Sequence, residues 1–220
     1  MKHITRCTLT LAYAWSAVAL GSTTQGDISK VLGSIRLETG QVAEDLTTVN
    51  GSVTIGDSAR ADELETVNGS ITLGDRASAE SAETVNGDVT LGAGAEVRED
   101  IETVNGDVTL RTGAQVGGSV ANVNGDMRLE GATVGRGLET VNADIVIGTG
   151  SRVSGGIHIE ENGGNGWFKR NKEGDRPRIT VESGAVVEGP LRFEREVDLY
   201  VAPGVTLPPV EGVEPKRHTL

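Results

Sequence analysis

Residues 85–104 read VNGDVTLGAGAEVREDIETV, and the chain repeats this pattern through most of its length. The motif Thr-Val-Asn-Gly occurs, with small changes, at Thr48, Thr66, Thr84, Thr103, Asn122 and Thr140. Its asparagines stand at positions 50, 68, 86, 105, 124 and 142, so one repeat is 18 or 19 residues long. A fixed period of this length is typical of a solenoid, in which each repeat forms one coil and stacks on the next.

Each repeat contains three short apolar segments separated by Gly, Asn and Asp. In the quoted repeat they are 89–91, 95–97 and 101–104. The first two alternate apolar and polar residues, which is the period of a β-strand, and all three are too short for a helix. The sequence therefore predicts an all-β fold, a three-sided parallel β-helix with coils of about 18 residues. In the third segment we expect Ile101 and Val104 to face inward.

A single coil of this kind is not stable alone. Its roughly five aliphatic side chains contribute about 1.5–3 kcal/mol each. Ordering its residues costs about 1.5 kcal/mol per residue, which is more in total. Stacking coils about 4.8 Å apart shares one axial core and pairs every backbone with the next. The corner asparagines are expected to hydrogen-bond along this axis, and Asn-Gly tolerates the backbone conformations that corners need.

The repeat sets the predicted domain organisation. Residues 31–201 form the solenoid domain, with eight to nine coils and a length of about 40 Å at the strand spacing. The pattern stops at 160–178, which we interpret as a loop insertion. Residues 22–30 form an N-terminal lead-in and 202–220 a C-terminal tail.

Residues 1–21 have the pattern of a secretory signal peptide, with Lys2 and Arg6, an apolar run to Leu20 and small residues at 17–19. The run is shorter than the ~20 apolar residues of a membrane span, so we expect cleavage, no transmembrane span afterwards and a periplasmic or secreted protein. Cleavage removes both basic residues and the single cysteine, Cys7, and changes the net charge from −12 to −14. That charge argues against general nucleic-acid binding.

Two bacterial families share these motifs. The units at 85–91 and 104–110 resemble an adhesin-type β-strand repeat family. The phrases GAQVGGSV (113–120), GSRVSGGI (150–157) and GAVVEGPL (184–191) look like the rungs of bactofilins. The second resemblance implies a right-handed, three-sided β-helix that polymerises. Bactofilins are typically cytoplasmic and lack a signal peptide, so this chain departs from them there.

The spacing of apolar residues also bears on handedness. Apolar residues recur every six positions from Val49 to Val85, as in left-handed hexapeptide helices. The third segment argues against that form, because its apolar residues Leu64 and Val67 are three apart and a hexapeptide face would turn Glu65 inward. The right-handed form is therefore favoured over the left-handed one.

Three columns of polar residues are candidates for function. Asp88, Asp107, Asp126 and Asp144 occupy one position in successive coils, which makes them a weak candidate ladder for Ca²⁺. A solvated acidic edge explains them equally simply, so no metal or cofactor is predicted. Threonines recur in two columns, both expected to face outward, and stacked threonines could bind ice. One column contains Thr54, Thr72, Thr90 and Thr109, and the other Thr48, Thr66, Thr84 and Thr103.

The insertion is the most distinctive segment. It contains aromatic and basic residues in a chain that is otherwise acidic and poor in aromatics, namely Trp167, Phe168, Lys169, Arg170 and Lys172. Loops that interrupt a repeat are frequent binding sites, so these five residues are the candidate partner-binding site. The alternative is that the two aromatic residues cover the side of the solenoid.

Catalysis has little support in the sequence. His158 is expected to point outward alone. Five glutamates could form carboxylate pairs for polysaccharide cleavage, but repetition alone explains them: Glu63, Glu65, Glu83, Glu102 and Glu139. The predicted function is a non-enzymatic, exported structural or scaffolding protein of the bacterial cell envelope that self-associates. The alternative is an adhesin-like module that binds an envelope component or glycan through the 160–178 loop. An enzyme acting on polysaccharide is third.

Overall fold

The structure, a computed structural model, describes residues 24–161 and 176–220. Over these residues it is an all-β parallel solenoid of about ten turns, with no helix and with three sheets along its length. The predicted fold class is confirmed. The handedness stays a prediction.

Sheets I and II each have ten parallel strands, and each coil passes from sheet I to sheet II. The strands of sheet I are β1 (Ile28–Leu32), β3 (Leu46–Asn50), β5 (Glu63–Asn68), β8 (Ser81–Asn86), β11 (Ile101–Asn105), β14 (Val120–Asn124), β17 (Leu138–Asn142), β20 (Ile157–Ile159), β23 (Leu191–Phe193) and β25 (Val210–Gly212). Those of sheet II are β2 (Ile35–Leu37), β4 (Val53–Ile55), β6 (Ile71–Leu73), β9 (Val89–Leu91), β12 (Val108–Leu110), β15 (Met127–Leu129), β18 (Ile145–Ile147), β21 (Arg178–Val181), β24 (Asp198–Val201) and β26 (Lys216–Thr219).

Sheet III is smaller and closes the third side with six two-residue strands. They are β7 (Ser78–Ala79), β10 (Glu96–Val97), β13 (Gln115–Val116), β16 (Thr133–Val134), β19 (Arg152–Val153) and β22 (Val186–Val187). Within each of the three sheets the strands pair in register, so each side chain lies level with the equivalent side chain of the next coil. Val89 of β9, for example, pairs with Ile71 on one side and Val108 on the other.

The core is a continuous aliphatic column along the axis. Each coil contributes inward residues from all three sheets, as Leu64, Ile71 and Ala79 do in one coil, and each of these is at most 1% exposed. Because the strands alternate, the residues between them face outward. Small side chains on sheet III and larger ones on sheet II fill a narrow triangular interior.

The corners between sheets I and II confirm the predicted asparagine ladder. Along the axis, the Nδ2 of each asparagine donates to the Oδ1 of the previous one at 3.0–3.1 Å, from Asn68 to Asn142. The neighbouring glycines are required by the tightness of this stack. A Cβ on Gly87 would lie 2.0 Å from the carbonyl oxygen of Gly69.

The stacked strands extend further than the sequence predicts. They begin at Ile28 and end at Thr219, beyond the predicted solenoid bounds of 31–201. The estimate of eight to nine coils is wrong by one or two, because the tail adds β25 and β26. These strands pair with β23 and β24 although their sequence has little of the repeat.

One threonine column faces inward, which is opposite to the predicted orientation. Thr48, Thr66, Thr84 and Thr103 were expected to face outward, but each is at most 5% exposed. Their Oγ1 atoms donate to the corner carbonyls of Gly33, Gly51, Gly69 and Gly87 at 2.9–3.2 Å. The strands of sheet I alternate strictly, so Ile101 and Thr103 face inward while Glu102 and Val104 face outward. The expected inward position of Val104 is therefore also wrong.

The other threonine column, Thr54 to Thr109, does face outward, on sheet II.

No described segment forms a helix of the length and hydropathy needed to cross a membrane.

Candidate functional site

The outer side of sheet I carries two side-chain columns, and the second of them was expected from the sequence to face inward. The first, the glutamate column, is set by in-register pairing and runs Thr47, Glu65, Glu83, Glu102, Ala121, Glu139, His158, Arg192 and Glu211. The second, the valine column, lies two residues further along each strand and contains Val49, Val67, Val85, Val104, Val123 and Val141. Both columns follow from the alternation of each strand.

This outer side combines acidic and apolar groups in a regular array. Glu65, Glu83 and Glu102 are half-buried, as are the adjacent valines Val67 and Val85. Together with their neighbours they line a shallow depression of about 50 Å³. The array continues through three successive coils, from Glu65 to Glu102, so it suits an extended surface better than a small ligand.

The glutamate column stores unfavourable electrostatic energy at neutral pH. Burial, followed by the charges of Glu102 and Glu65, raises the pKa of Glu83 to about 7. Burial and the neighbouring carboxylate of Glu63 likewise raise the pKa of Glu65. Like charges held in register in a partly desolvated surface favour the protonated form. A cation brought to this face would relieve the repulsion.

Three arginines lie on sheet III and its adjoining turns in the same coils, among acidic residues. Arg60, Arg76 and Arg98 are exposed and line an open groove of about 310 Å³ together with Glu96. We call these three residues the arginine cluster. Within the residues that the structure describes, none of the three forms an ion pair.

The aspartate ladder has a structural explanation. Asp88 Oδ1 accepts the backbone N–H of Asp107 at 2.9 Å, and Asp107 Oδ1 accepts that of Asp126 at 2.7 Å. Earlier coils use Ser52 and Ser70 hydroxyls for the same purpose. At the far end, Asp144 Oδ1 accepts the backbone N–H of Arg178 at 2.7 Å. The carboxylates thus hold successive coils together at this corner.

The candidate partner-binding residues Trp167, Phe168, Lys169, Arg170 and Lys172 lie outside the described residues.

His158, which was expected to point outward alone, has carboxylates beside it. Its Nε2 lies 3.2 Å from Glu194 Oε1, and Glu139 and Glu160 are close to its ring. Glu139 and Glu194 come from different coils, so sequence spacing did not reveal the group. Strict alternation from Leu64 would have shown that Glu65 and Val67 share the outer side.

These features define the chain as a β-solenoid repeat protein with an acidic, partly apolar side and a basic cluster on another side. No family model, curated protein or solved structure matches the chain.

Proposed function

We propose that this chain is a non-enzymatic structural protein of the bacterial cell envelope whose solenoids associate side by side. In the contact, the glutamate column of one copy lies against the arginine cluster of the next. The observation that carries the proposal is that a column of stacked glutamates and a groove lined by three exposed arginines occupy the same coils on different sides of one rod.

Such a contact uses two different surfaces of the chain. A contact of this kind leaves one acidic and one basic surface free at the ends of every assembly, so it can continue indefinitely unless it closes into a ring. The resemblance to the polymer-forming bactofilins supports the same function. Location at the envelope is supported by the signal-peptide pattern of residues 1–21.

The chemistry of the glutamate column favours a cationic partner surface. The pKa of Glu83 in the single chain is about 7. An arginine brought close to Glu83 would favour the ionised form of this carboxyl group. The guanidinium also suits this surface because it is weakly hydrated and pairs with two carboxylate oxygens at once. The valine column adds apolar area to the same contact.

Sedimentation velocity of the full chain over a range of concentrations tests the association. We expect oligomers that grow with concentration, weaken as salt rises from about 0.05 to 0.5 M because the charges are screened, and weaken as pH falls below 7. The pH effect follows because protonation of Glu83 removes the charge that pairs with arginine. A chain that stays monomeric at low salt and pH 8 contradicts the proposal.

A paired set of variants tests which surface is used. Arg60→Glu should weaken association at least tenfold, since it reverses one charge of the cluster. Arg128→Glu is the matched control, because Arg128 is equally exposed but lies on the outer side of sheet II. Equal effects of both variants would mean that net charge, not this contact, controls association. Cell fractionation tests the location, and retention in the cytoplasm contradicts it.

A further inference from the structure

The two columns on sheet I change composition beside the point where the repeat is interrupted. In the glutamate column, His158 follows Glu139. In the valine column, Glu160 and then Glu194 follow Val141. The backbone N–H of Glu160 donates to Thr140 O at 2.8 Å, and that of Glu194 donates to Ile159 O at 2.9 Å. These bonds continue the register of sheet I, so a histidine and three glutamates share four neighbouring positions.

The side chains converge in space. One ligand atom from each of Glu139, His158 and Glu160 lies within 4.8 Å of the other two. Among the described residues, this is the one group of three or more such side chains that meets this distance. All three are half-buried and remain open to solvent on the outer side of the sheet.

The fourth group, Glu194, is held firmly beside the ring. Its Oε1 lies 3.2 Å from His158 Nε2, and its Oε2 accepts the backbone N–H of Glu161 at 3.1 Å. Metal-binding histidines are commonly oriented by a carboxylate in this way.

Among the described residues, two arginines near this group donate to other partners. Arg192, which lies level with His158, donates to Glu211 Oε2 at 3.0 and 3.2 Å. Arg195 Nη1 donates to Val141 O and Asn142 Oδ1 at 3.1 and 2.6 Å. In the coils before this group, valines occupy the positions equivalent to Glu160 and Glu194.

We propose that Glu139, His158 and Glu160 bind a divalent cation that accepts both imidazole and carboxylate ligands, such as Zn²⁺, with Glu194 holding the imidazole. Imidazole and carboxylate together select zinc and similar transition metals over Ca²⁺ and Mg²⁺, which prefer oxygen ligands. Zinc ligands lie about 2 Å from the ion, so small side-chain rotations bring these atoms into range.

Titration calorimetry of the full chain with Zn²⁺ tests this site. We expect His158→Ala to weaken one site at least tenfold, and Glu139→Gln and Glu160→Gln to weaken the same site. The matched control is His218→Ala, which removes an imidazole that lies 3.6 Å from a single carboxylate, that of Asp198. It should leave this site intact. Binding at His3 or Cys7 would be common to all these proteins and cancels in the comparison.

A second readout is thermal stability. Zn²⁺ should raise the melting temperature of the unmodified chain and of His218→Ala, but raise it less for His158→Ala. Circular dichroism without metal confirms that each variant folds. Equal Zn²⁺ affinity of the unmodified chain and His158→Ala contradicts the proposal. Preference for Ca²⁺, lost in Asp107→Asn but kept in His158→Ala, also contradicts it and assigns the cation to the aspartate ladder.

Discussion

Sheets I and II pack on the same core but differ on their outer sides. Both turn aliphatic residues into the shared core in every coil. On the outer side of sheet II, Thr54, Thr72, Thr90 and Thr109 form a neutral column. On the outer side of sheet I, burial, followed by repulsion between stacked glutamates, raises the pKa of Glu83.

The comparison shows that the fold does not require acidic residues on an outer side. Threonine is a favourable strand residue for a solvated face, and sheet II shows that a neutral column is compatible with these coils. The glutamate column costs stability at neutral pH, because its half-buried carboxylates lie close together. Residues that lower stability at one surface are expected where that surface has a function.

A substitution at the corner that joins sheets I and II should cause the largest loss of stability. Gly87→Ala places a Cβ against the backbone of Gly69, so both sheets must shift, and we expect a loss of about 3 kcal/mol in the free energy of unfolding. Urea denaturation measures it. Gly40→Ala is the control, since its φ is +70° but nothing lies within 4 Å of the added Cβ. It should cost about 1 kcal/mol, and equal losses would mean that the tight corner is not the cause.

The two threonine columns should respond differently to the same change. Thr84→Val removes a buried hydroxyl that donates to Gly69 O at 3.0 Å, so we expect a loss of about 1–2 kcal/mol. Thr90→Val on the outer side of sheet II should change stability by less than about 0.5 kcal/mol. Urea midpoints of the two variants give the comparison. Similar losses would contradict the inward orientation of Thr84.

Asn122 interrupts the hydrogen bonds of the inner threonine column, and a substitution there should restore them. Asn122 replaces threonine there and donates to Gly125 O at 2.8 Å. By the pattern of the column, that carbonyl is the acceptor for Thr140. Asn122 Oδ1 and Thr140 Oγ1 are accordingly buried without hydrogen-bond partners.

Asn122→Thr should let both hydroxyls bond as in the other coils and stabilise the chain by about 1 kcal/mol. The melting temperature measures the gain. The matched control, Asn122→Val, removes the competing amide but supplies no hydroxyl. If it stabilises as much as Asn122→Thr, the hydrogen bonds are not the cause.

The outer side of sheet I should show a smaller, pH-dependent effect. The pKa of Glu83 is raised from 4.5 to about 7, so the folded chain holds this proton more tightly than the unfolded chain. Stability therefore falls as pH rises from about 4.5 to 7. Glu83→Gln should match the unmodified chain at pH 4.5 and be more stable by about 0.5–1 kcal/mol at pH 8, given partial solvent screening.

Urea denaturation of dilute protein at both pH values measures this difference, because association would mask it at high concentration. Glu130→Gln removes an exposed glutamate in a turn and is the control for loss of one charge. A gain for Glu83→Gln that is the same at both pH values would show that repulsion within the column is not the source.

The repeat was enough to predict the fold class, the coil length and the asparagine ladder. Each depends on a residue type that recurs at one position, and in-register stacking converts that recurrence directly into contacts. The orientation of the third segment was not predicted correctly, because hydrophobicity favours Val104 over Thr103 as the inward residue. The hydroxyl of Thr103 is tolerated inside only because Gly87 O accepts its hydrogen bond at 3.2 Å.

The candidate sites were harder to predict for a related reason. The group around His158 brings Glu194 from 36 residues away, across the interruption of the repeat, where spacing no longer predicts which residues are level. The last coil was missed because β25 and β26 lack the repeat motif. The binding prediction for Trp167 and its neighbours remains a prediction.

The most direct test of side-by-side association is a mixing experiment between two charge-reversed variants. One is Glu65→Lys with Glu83→Lys, and the other is Arg60→Glu with Arg98→Glu. Each alone brings like charges together, so each should sediment as a monomer at low salt and pH 8. An equimolar mixture restores opposite charges at every contact and should form oligomers like those of the unmodified chain. A mixture that stays monomeric, or a single variant that associates like the unmodified chain, would contradict the proposed contact.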